Sequence, residues 1–149
     1  MRKIFTNGCF DILHPGHLAL LKYCATMGDY VLVGIDSDRR VQEMKAQNRP
    51  IQNQEIRRIM LLNLKWVNDV VIFDTDEELE QLVKNYDPYC MIVGSDWQDK
   101  KVIGSEHAEV IGYFERIDEY STSKIVESII DGRKLSRCLS LRRLHQTKP

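Results

Sequence analysis

Two histidines, His14 and His17, stand three residues apart near the start of the chain, in the stretch GCFDILHPGHLALL. An apolar run typical of a β-strand precedes them and a helical pattern follows, so both lie at the N-terminus of a predicted helix. The free N–H groups and the dipole of a helix N-terminus attract phosphate, and residues three apart on a helix can point to one ligand. Imidazolium groups at this place could stabilise the charge of a phosphoryl group during its transfer.

The residues between the two histidines suit the same chemistry. Pro15 is favoured in the first turn of a helix, and Gly16 has no Cβ to keep a phosphate away from the backbone. A zinc site is disfavoured, because two histidines are too few ligands and no cysteine or carboxylate has supporting spacing. The other two histidines, His107 and His145, are expected at the surface.

The elements that position these residues alternate between short apolar runs and helical patterns. Strands are predicted at 3–10, 30–35, 67–73, 89–93 and 110–117. Helices are predicted at 17–27, 37–46, from about residue 53, and at 77–85 and 121–130. Strands that are apolar throughout indicate burial on both faces. The order predicts an α/β fold, a single Rossmann-like, doubly wound parallel sheet of about five strands with helices on both faces. Ligands of such sheets bind beyond the carboxyl ends of the strands.

Length and charge divide the chain into a folded part and a tail. The 149 residues suffice for one domain with one sizeable core. Residues 132–149 contain six lysines or arginines and no acidic residue, so we expect one folded domain at 1–131 and a basic C-terminal tail at 132–149. The formal net charge of −1 does not suit a polyelectrolyte binder, and no nucleic-acid partner is expected.

Cysteine spacing and hydropathy indicate the compartment. The four cysteines, Cys9, Cys24, Cys90 and Cys138, include no Cys-x-x-Cys pair, and reduced thiols are expected. No apolar run reaches the length of a membrane span, and the N-terminus has no signal-peptide pattern. We therefore expect a cytoplasmic protein without a membrane partner.

Three stretches resemble one enzyme superfamily. GCFDILHPGH closely resembles the first signature of the nucleotidyltransferase superfamily of cytidylyltransferase type, roughly G-x-F-D-x-x-H-x-G-H. YSTSKIVESI is similar to the S-T-T/S-x-I element of that family, at the start of its last helix. KAQNRPIQNQEIRRIML resembles the R-P-x(5)-R element of bacterial heptose-phosphate adenylyltransferases, and Lys45, Arg49, Pro50 and Arg57 match it. The resemblance covers residues 1–131.

The resemblance implies nucleotidyl transfer, in which a phosphate oxygen of an acceptor attacks the α-phosphorus of a nucleoside triphosphate and pyrophosphate leaves. His14 and His17 would contact the α/β-phosphate region, Lys45 the acceptor phosphate or the α-phosphate, and Mg²⁺ with mostly water ligands would bridge the triphosphate. Asp11 would orient the loop or the acceptor, through the waters of the metal. The catalytic residues would be His14, His17 and Lys45. Residues that would bind nucleotide or phosphate are Cys9, Phe10, Asp11, Gly16, Arg57, Gly94, Asp96, Trp97, Ser121, Thr122 and Ser123.

Two of these predicted contacts also follow from residue chemistry alone. Ser121, Thr122 and Ser123 provide hydroxyls and backbone N–H groups at a second helix N-terminus, which suits β- and γ-phosphate oxygens. The segment Gly94 to Trp97 follows the fourth strand, where a base or an acceptor binds in this type of fold. The indole of Trp97 could stack on a base or a sugar, or cover a loop or a subunit interface.

The sequence resembles two subfamilies that use different substrates. NRPIQNQEIR, FDTDEELEQLV and VIGSEHAEVIG resemble adenylyltransferases that act on D-glycero-D-manno-heptose 1-phosphate for surface-polysaccharide precursors, with ATP as donor. GSDW instead resembles CTP:glycerol-3-phosphate cytidylyltransferases, and Val93 stands where the heptose enzymes carry a lysine. A non-catalytic nucleotide-binding subunit is the alternative from another class. A class I aminoacyl-tRNA synthetase, which also uses a His-x-Gly-His element, would need a far longer chain.

The resemblance also implies a homodimer. Two apolar patterns in the sequence concern which side chains are exposed for such a contact and which are buried. Trp66 stands near Leu61, Leu62 and Leu64, which together form a candidate contact patch. In the helix that begins near residue 53, Ile56, Met60 and Leu64 form one stripe, which is expected to face the core.

Overall fold

A computed structural model describes residues 1–117 and 119–132, and these form one parallel sheet with helices packed on it. The strands are β1 (Lys3–Gly8), β2 (Tyr30–Asp36), β3 (Asp69–Phe73), β4 (Cys90–Gly94) and β5 (Val110–Phe114). The helices are α1 (Pro15–Met27), α2 (Asp38–Met44), α3 (Gln54–Leu62), α4 (Asp76–Tyr86) and α5 (Thr122–Ile130). Single 3₁₀ turns lie at Ser95–Trp97 and Ser105–His107.

The strand order explains where a ligand can bind. The order is β3-β2-β1-β4-β5, and each neighbouring pair is parallel. The chain first extends the sheet from β1 through β2 to β3, and then crosses back to place β4 on the other side of β1. Beyond the carboxyl ends of β1 and β4 the order reverses, and a crevice forms there in doubly wound sheets. The predicted fold class, a doubly wound parallel sheet of about five strands, is confirmed.

Alternate residues of the strands face two separate cores. Ile4 is buried with Leu21 and Cys24 of α1 and Leu61 of α3 on one face of the sheet. Its neighbour Phe5 is buried on the opposite face in a cluster that includes residues of α4. Burial on both faces is the reason why the strands lack a polar alternation.

The orientation of α3 differs from the sequence prediction. Ile56 and Met60 are 44% and 45% exposed, whereas Arg57 and Leu61 are fully buried. Of the predicted apolar stripe, Ile56 and Met60 therefore face outward, and only Leu64 packs against the core. Leu61 of the predicted contact patch is in the core and is not available for a contact, which corrects that prediction for this residue. The other members of the patch are partly buried against the core; they are Leu62, Leu64 and Trp66. The hydrogen bonds of Arg57 keep the side of α3 that carries Arg57 and Leu61 turned toward the core.

Three predictions concern thiols, the tail and membranes. Cys9, Cys24 and Cys90 are free thiols, as expected, and Cys138 and His145 lie outside the described residues. The predicted tail at 132–149 also lies outside them, apart from Gly132. Within the ranges 1–117 and 119–132, we find no helix with the length and apolar character needed to cross a membrane.

Candidate active site

A cavity of about 610 Å³ opens at the carboxyl edge of the sheet. The ends of β1 and β4 form its floor, and the N-termini of α1 and α5 face into it. All but two of the residues predicted to act in catalysis or binding line this cavity. They are Cys9, Phe10, Asp11, His14, Gly16, His17, Lys45, Gly94, Trp97, Ser121, Thr122 and Ser123. The exceptions, Arg57 and Asp96, have other positions, which are given below.

His14 is the N-cap residue of α1, and its ring is oriented by the helix that it caps. Its Nδ1 accepts a hydrogen bond from the backbone N–H of Gly16 at 3.1 Å. An accepting Nδ1 places the ring proton on Nε2, which can then donate to a ligand. A Cβ on Gly16 would lie 2.9 Å from Cε1 of His14. An alanine here would force the His14 ring to shift, so Gly16 leaves the room that this ring occupies.

His17 stacks directly on His14. The ring centroids are 3.7 Å apart with an interplanar angle of 24°, and the centroid of the Phe10 ring lies 5.1 Å from that of His17 at an angle of 48°. The Nδ1 of His17 is buried and has no hydrogen-bond partner among the described residues. A buried ring nitrogen without a partner is costly unless a ligand completes its hydrogen bonds. The stacked pair therefore offers two imidazole edges to one ligand.

The charge of this pair differs from the sequence expectation. Burial lowers the pKa of His14 to about 4, with a further effect of the nearby Arg116 guanidinium. Burial lowers the pKa of His17 to about 3, and the neighbouring His14, Lys45 and Arg116 act in the same direction. Without ligand, both rings are neutral at pH 7 rather than imidazolium. They act as hydrogen-bond donors, and a bound triphosphate would raise both pKa values through its negative charge.

We expect the stability of the chain to depend on these two rings in acid. In the unfolded chain both histidines take up protons near pH 6.5, whereas in the folded chain they do so only near pH 4 and 3. Between these values the unfolded state binds more protons, so the free energy of unfolding decreases as the pH falls through this window. A His14→Gln, His17→Gln double variant should lose less stability between pH 6.5 and pH 4 in urea titrations. NMR titration of both rings near pH 6.5 would contradict this account.

Asp11 ties the loop after β1 to a distant segment. Its Oδ2 accepts from the Arg49 Nε at 2.9 Å and from the Ile51 N–H at 2.8 Å, and its Oδ1 accepts from the Gln52 N–H at 2.9 Å. The carboxylate is fully buried. Asp11 thus orients the loop, one of the two roles expected of it. The other role, contact with the acceptor through metal-bound waters, is not supported because its oxygens are occupied and buried.

The same loop is joined to the second helix N-terminus. The Thr122 hydroxyl donates to the backbone carbonyl of Asp11, so this hydroxyl is not free for a phosphate oxygen. The Oγ of Ser121 caps α5 by accepting from the Lys124 N–H, and its own proton remains available for donation. Ser123 lines the cavity from the first turn of α5. The hydroxyls of Ser121 and Ser123, rather than that of Thr122, can therefore contact phosphate.

The loop after β1, which is anchored at Asp11 and by Thr122, has unusual backbone conformations. Phe10 and Ile12 have φ values of 49° and 54°, a region that residues other than glycine adopt at a cost in free energy. The loop keeps these conformations between the anchors at Asp11 and Thr122. Backbone outliers held in this way are typical of functional sites.

Arg57 was predicted to contact phosphate, and the structure corrects this. Its guanidinium donates to the carbonyls of Gln52 at 3.0 Å and Cys9 at 2.7 Å, and to Asp38 Oδ1 at 2.8 Å. The side chain is fully buried and does not line the cavity. Arg57 lies beneath the β1–α1 loop and joins it to α2 and α3, so its role is structural.

Replacement of Arg57 tests this correction. Arg57→Met keeps most of the side-chain volume but leaves the carbonyls of Cys9 and Gln52 without their donor. We expect the free energy of unfolding to fall by about 3 kcal/mol, the scale of breaking a buried charged hydrogen-bond network. The affinity of the folded variant for nucleotide, measured by calorimetry, should change less than about threefold, a free-energy change of under about 0.7 kcal/mol. A large loss of nucleotide affinity with an unchanged free energy of unfolding would instead support a direct contact between Arg57 and phosphate.

Asp96 is the second predicted residue outside the cavity lining. Its Oδ1 accepts from Nε of Arg116 at 2.9 Å. Gly94 makes room for this pair, because a Cβ there would lie 2.5 Å from the Asp96 carboxylate. Arg116 lines the cavity, as the histidines do, whereas its partner Asp96 does not. Asp96 thus reaches the cavity only through Arg116, a candidate site residue that the sequence interpretation missed.

Two further cations complete the charge of the cavity. Lys45, the C-cap residue of α2, is exposed and lines the cavity, as predicted. Arg49 lines it as well, and its Nη2 is buried without a partner among the described residues. With Arg116 these groups give the cavity three cationic side chains, two of which, Arg49 and Arg116, are paired with the carboxylates of Asp11 and Asp96. The cavity is thus suited to a polyanionic ligand.

The sequence matches one family model and several curated relatives. Residues 5–128 match the family described as "Cytidylyltransferase-like". The chain is 44% identical over 126 residues to the "Bifunctional protein HldE" of Campylobacter fetus, and 41% identical over 126 residues to that of Helicobacter hepaticus. These matches cover 85% of this chain but only 27% and 26% of the two relatives.

Solved structures share the fold at lower identity. A lipopolysaccharide core biosynthesis protein from Thermoplasma volcanium superposes with a TM-score of 0.61 at 24% identity, over 81% of this chain and 99% of the other. A putative nicotinate-nucleotide adenylyltransferase from Vibrio parahaemolyticus has a TM-score of 0.54 at 18% identity, over 91% and 92% of the two chains. The family match spans the loop after β1, the stacked histidines and the start of α5. The chain belongs to the cytidylyltransferase-like family, the nucleotidyltransferase family that GCFDILHPGH predicts.

Proposed function

We propose that this chain transfers a nucleoside monophosphate from a nucleoside triphosphate to a sugar phosphate and releases pyrophosphate. The donor is ATP and the acceptor is D-glycero-D-manno-heptose 1-phosphate, for synthesis of surface-polysaccharide precursors. One observation supports this most: the stacked histidines and two helix N-termini face the same cation-lined cavity. The match to part of the bifunctional HldE proteins supports the choice of acceptor, together with the NRPIQNQEIR element.

In the proposed mechanism an oxygen of the acceptor phosphate attacks the α-phosphorus, and the bond from the α-phosphorus to the bridging oxygen of pyrophosphate breaks. His14 donates from Nε2 to a non-bridging oxygen, and His17 donates to the same phosphate region. Lys45 and Arg116 balance the charge that develops on the transferring and leaving groups. Ser121 and Ser123 hold the β- and γ-phosphates. The chain supplies position and charge stabilisation, and no covalent enzyme intermediate is required.

Mg²⁺ is part of the proposal as a ligand of the triphosphate rather than of the protein. Among residues 1–117 and 119–132, the only group of three potential metal ligands is Glu80, Glu106 and His107, which lies outside the cavity. In the cavity, the Asp11 oxygens are occupied and Asp36 holds an arginine. These residues fit a Mg²⁺ held by phosphate oxygens and water, whose charge would help pyrophosphate to leave.

A second candidate is cytidylyl transfer to glycerol 3-phosphate. The GSDW string supports it, since Trp97 lines the cavity beside the Asp96–Arg116 pair. A non-catalytic nucleotide-binding subunit is the third. Pyrophosphate release with ATP or CTP, each combined with heptose 1-phosphate or glycerol 3-phosphate, separates the three. We expect release with ATP and heptose 1-phosphate. Release only with CTP and glycerol 3-phosphate favours the second candidate, and nucleotide binding without any release favours the third.

We also propose that the chain forms a homodimer in the cytoplasm. The outward face of α3 supports the dimer, because Ile56, Ile59 and Met60 are exposed side by side there. An apolar helix face of this kind is favourable only when another surface covers it. Sizing of the wild type and an Ile59→Glu variant tests this, and a wild-type monomer would contradict it.

A further inference from the structure

Beyond the residues that resemble the family signatures, the cavity has a second end at the carboxyl edge of β2. Asp36 is the last residue of β2, and Arg40 lies in α2. Both line the cavity, although neither belongs to a signature. Because β2 and β4 lie on opposite sides of β1, this end is separated from Gly94 and Trp97 by the loop that carries the histidines.

The Asp36–Arg40 pair is held in one geometry. The Arg40 Nε donates to the Asp36 Oδ1 at 2.8 Å, and the Arg40 Nη2 donates to the Asp76 Oδ1 at 2.6 Å. The guanidinium lies over the ring of Phe73 at 5.3 Å. The side chains of Asp36 and Arg40 are only 9% and 17% exposed. A pair that Asp76 and Phe73 hold from two sides is preorganised for recognition.

Each member of the pair keeps one polar atom for a ligand. The contacts within the pair and with Asp76 use the Asp36 Oδ1 and the Arg40 Nε and Nη2, so the Asp36 Oδ2 and the Arg40 Nη1 lie outside these contacts. One is an acceptor and the other a donor, on side chains that bond to each other. Two adjacent hydroxyls match this arrangement, because one O–H can donate to Oδ2 while the other oxygen accepts from Nη1.

Charge decides which part of a ligand binds here. One guanidinium faces two carboxylates, those of Asp36 and Asp76, so the local charge is negative. A phosphate is repelled from such a place, whereas Lys45 and Arg49 attract it elsewhere in the cavity. A neutral, hydroxyl-rich group is therefore the ligand that suits the β2 end.

We propose that Asp36 and Arg40 recognise adjacent hydroxyls of the acceptor, whose phosphate lies toward Lys45. This inference rests on the proposed function, since it requires a polyhydroxylated phosphate as the acceptor. A ribose also has two adjacent hydroxyls, but the aromatic groups suited to a nucleobase, Trp97 and Phe114, line the opposite end. The acceptor and the donor are thus assigned to opposite ends of the cavity.

An Asp36→Asn variant tests the assignment. The amide keeps the oxygen that accepts from the Arg40 Nε, but replaces Oδ2 with a donor. With ATP and heptose 1-phosphate we expect the acceptor KM to rise about tenfold to a hundredfold, the scale of losing a hydrogen bond between a charged group and a hydroxyl. The KM for ATP should stay within about twofold, a change of under about 0.5 kcal/mol. Arg39→Gln is the matched control, because Arg39 lies in the same helix, bonds to Asp74 and does not line the cavity.

The outcomes separate this inference from the proposed function. An active wild type whose Asp36→Asn variant keeps its acceptor KM overturns the inference alone, and so does a rise confined to the KM for ATP. No transfer by the wild type to any sugar or polyol phosphate overturns the proposed function and this inference with it. If the variant does not fold, deoxy analogues of the acceptor provide the test with wild-type protein. Loss of one of two adjacent hydroxyls should raise KM about tenfold, and equal KM values for all analogues overturn the inference.

Discussion

A His17→Ala variant is expected to lose at least about a hundredfold in kcat, the usual scale for removal of a preorganised group that stabilises developing charge. Among residues 1–117 and 119–132 the buried His17 Nδ1 has no hydrogen-bond partner, and its ring contacts those of His14 and Phe10. A ring fixed in this way loses little freedom when the transition state forms. The neutral ring donates a hydrogen bond, and this bond becomes stronger as negative charge develops on the phosphate oxygen beside it.

Stopped-flow or steady-state measurement of pyrophosphate release checks this result at saturating ATP and acceptor. The matched control is His107→Ala, since His107 is also partly buried but lies outside the cavity. Circular dichroism melting should show that both variants fold. Near-normal turnover in the folded His17→Ala variant would contradict the assigned role, whatever the effect on KM.

An Asp11→Ala variant is expected to lose about 3 kcal/mol of the free energy of unfolding, the lower end of the cost of breaking a buried ion pair. The change leaves the Arg49 guanidinium and the N–H groups of Ile51 and Gln52 without their acceptor. It also frees the loop that carries His14, so kcat should fall as well.

Urea titration of wild type and variant measures the loss. Asp29→Ala is the control, because Asp29 also accepts a backbone N–H bond, that of Arg2, but at an exposed position. Its effect should stay below about 1 kcal/mol. An Asp11→Ala variant with unchanged stability but a shifted Mg²⁺ dependence of kcat would favour the earlier alternative, in which Asp11 acts through metal-bound waters.

The strands of the fold were predictable because their physical signal is simple. Runs such as YVLVGI and YCMIV are apolar throughout, and burial on both faces of a parallel sheet is the usual cause. The face of α3 that is buried was not predictable in this way. Its apolar periodicity favours Ile56 and Met60 as core residues, but Arg57 is drawn inward by carbonyls of segments far away in the sequence.

The candidate site was predictable where its residues are neighbours in sequence. His14, Gly16 and His17 form one local motif, and the structure keeps them together at the start of α1. Arg116, Asp36 and Arg40 were missed because each is an isolated charged residue without a motif. One signal was present for two of them: Asp36 directly follows the strand predicted at 30–35, and Arg116 lies at the end of the strand predicted at 110–117. Ligands of such sheets bind at this edge.

Charge states were the least predictable property of the site. Two histidines at a helix N-terminus suggest imidazolium, but the sequence does not show that the rings stack 3.7 Å apart under partial burial. Burial and the nearby Arg116 guanidinium lower the pKa of His14 to about 4. These causes come from residues brought together by the fold, so they appear only in three dimensions.

The central claim is that the triphosphate binds across the stacked histidines between the two helix N-termini. A crystal structure of the chain with a non-hydrolysable ATP analogue tests it most directly. We expect an α-phosphate oxygen within hydrogen-bond distance of the His14 Nε2, with the β- and γ-phosphates at Ser121 and Ser123. A phosphate chain bound elsewhere, with His14 and His17 still stacked and free, would contradict the account.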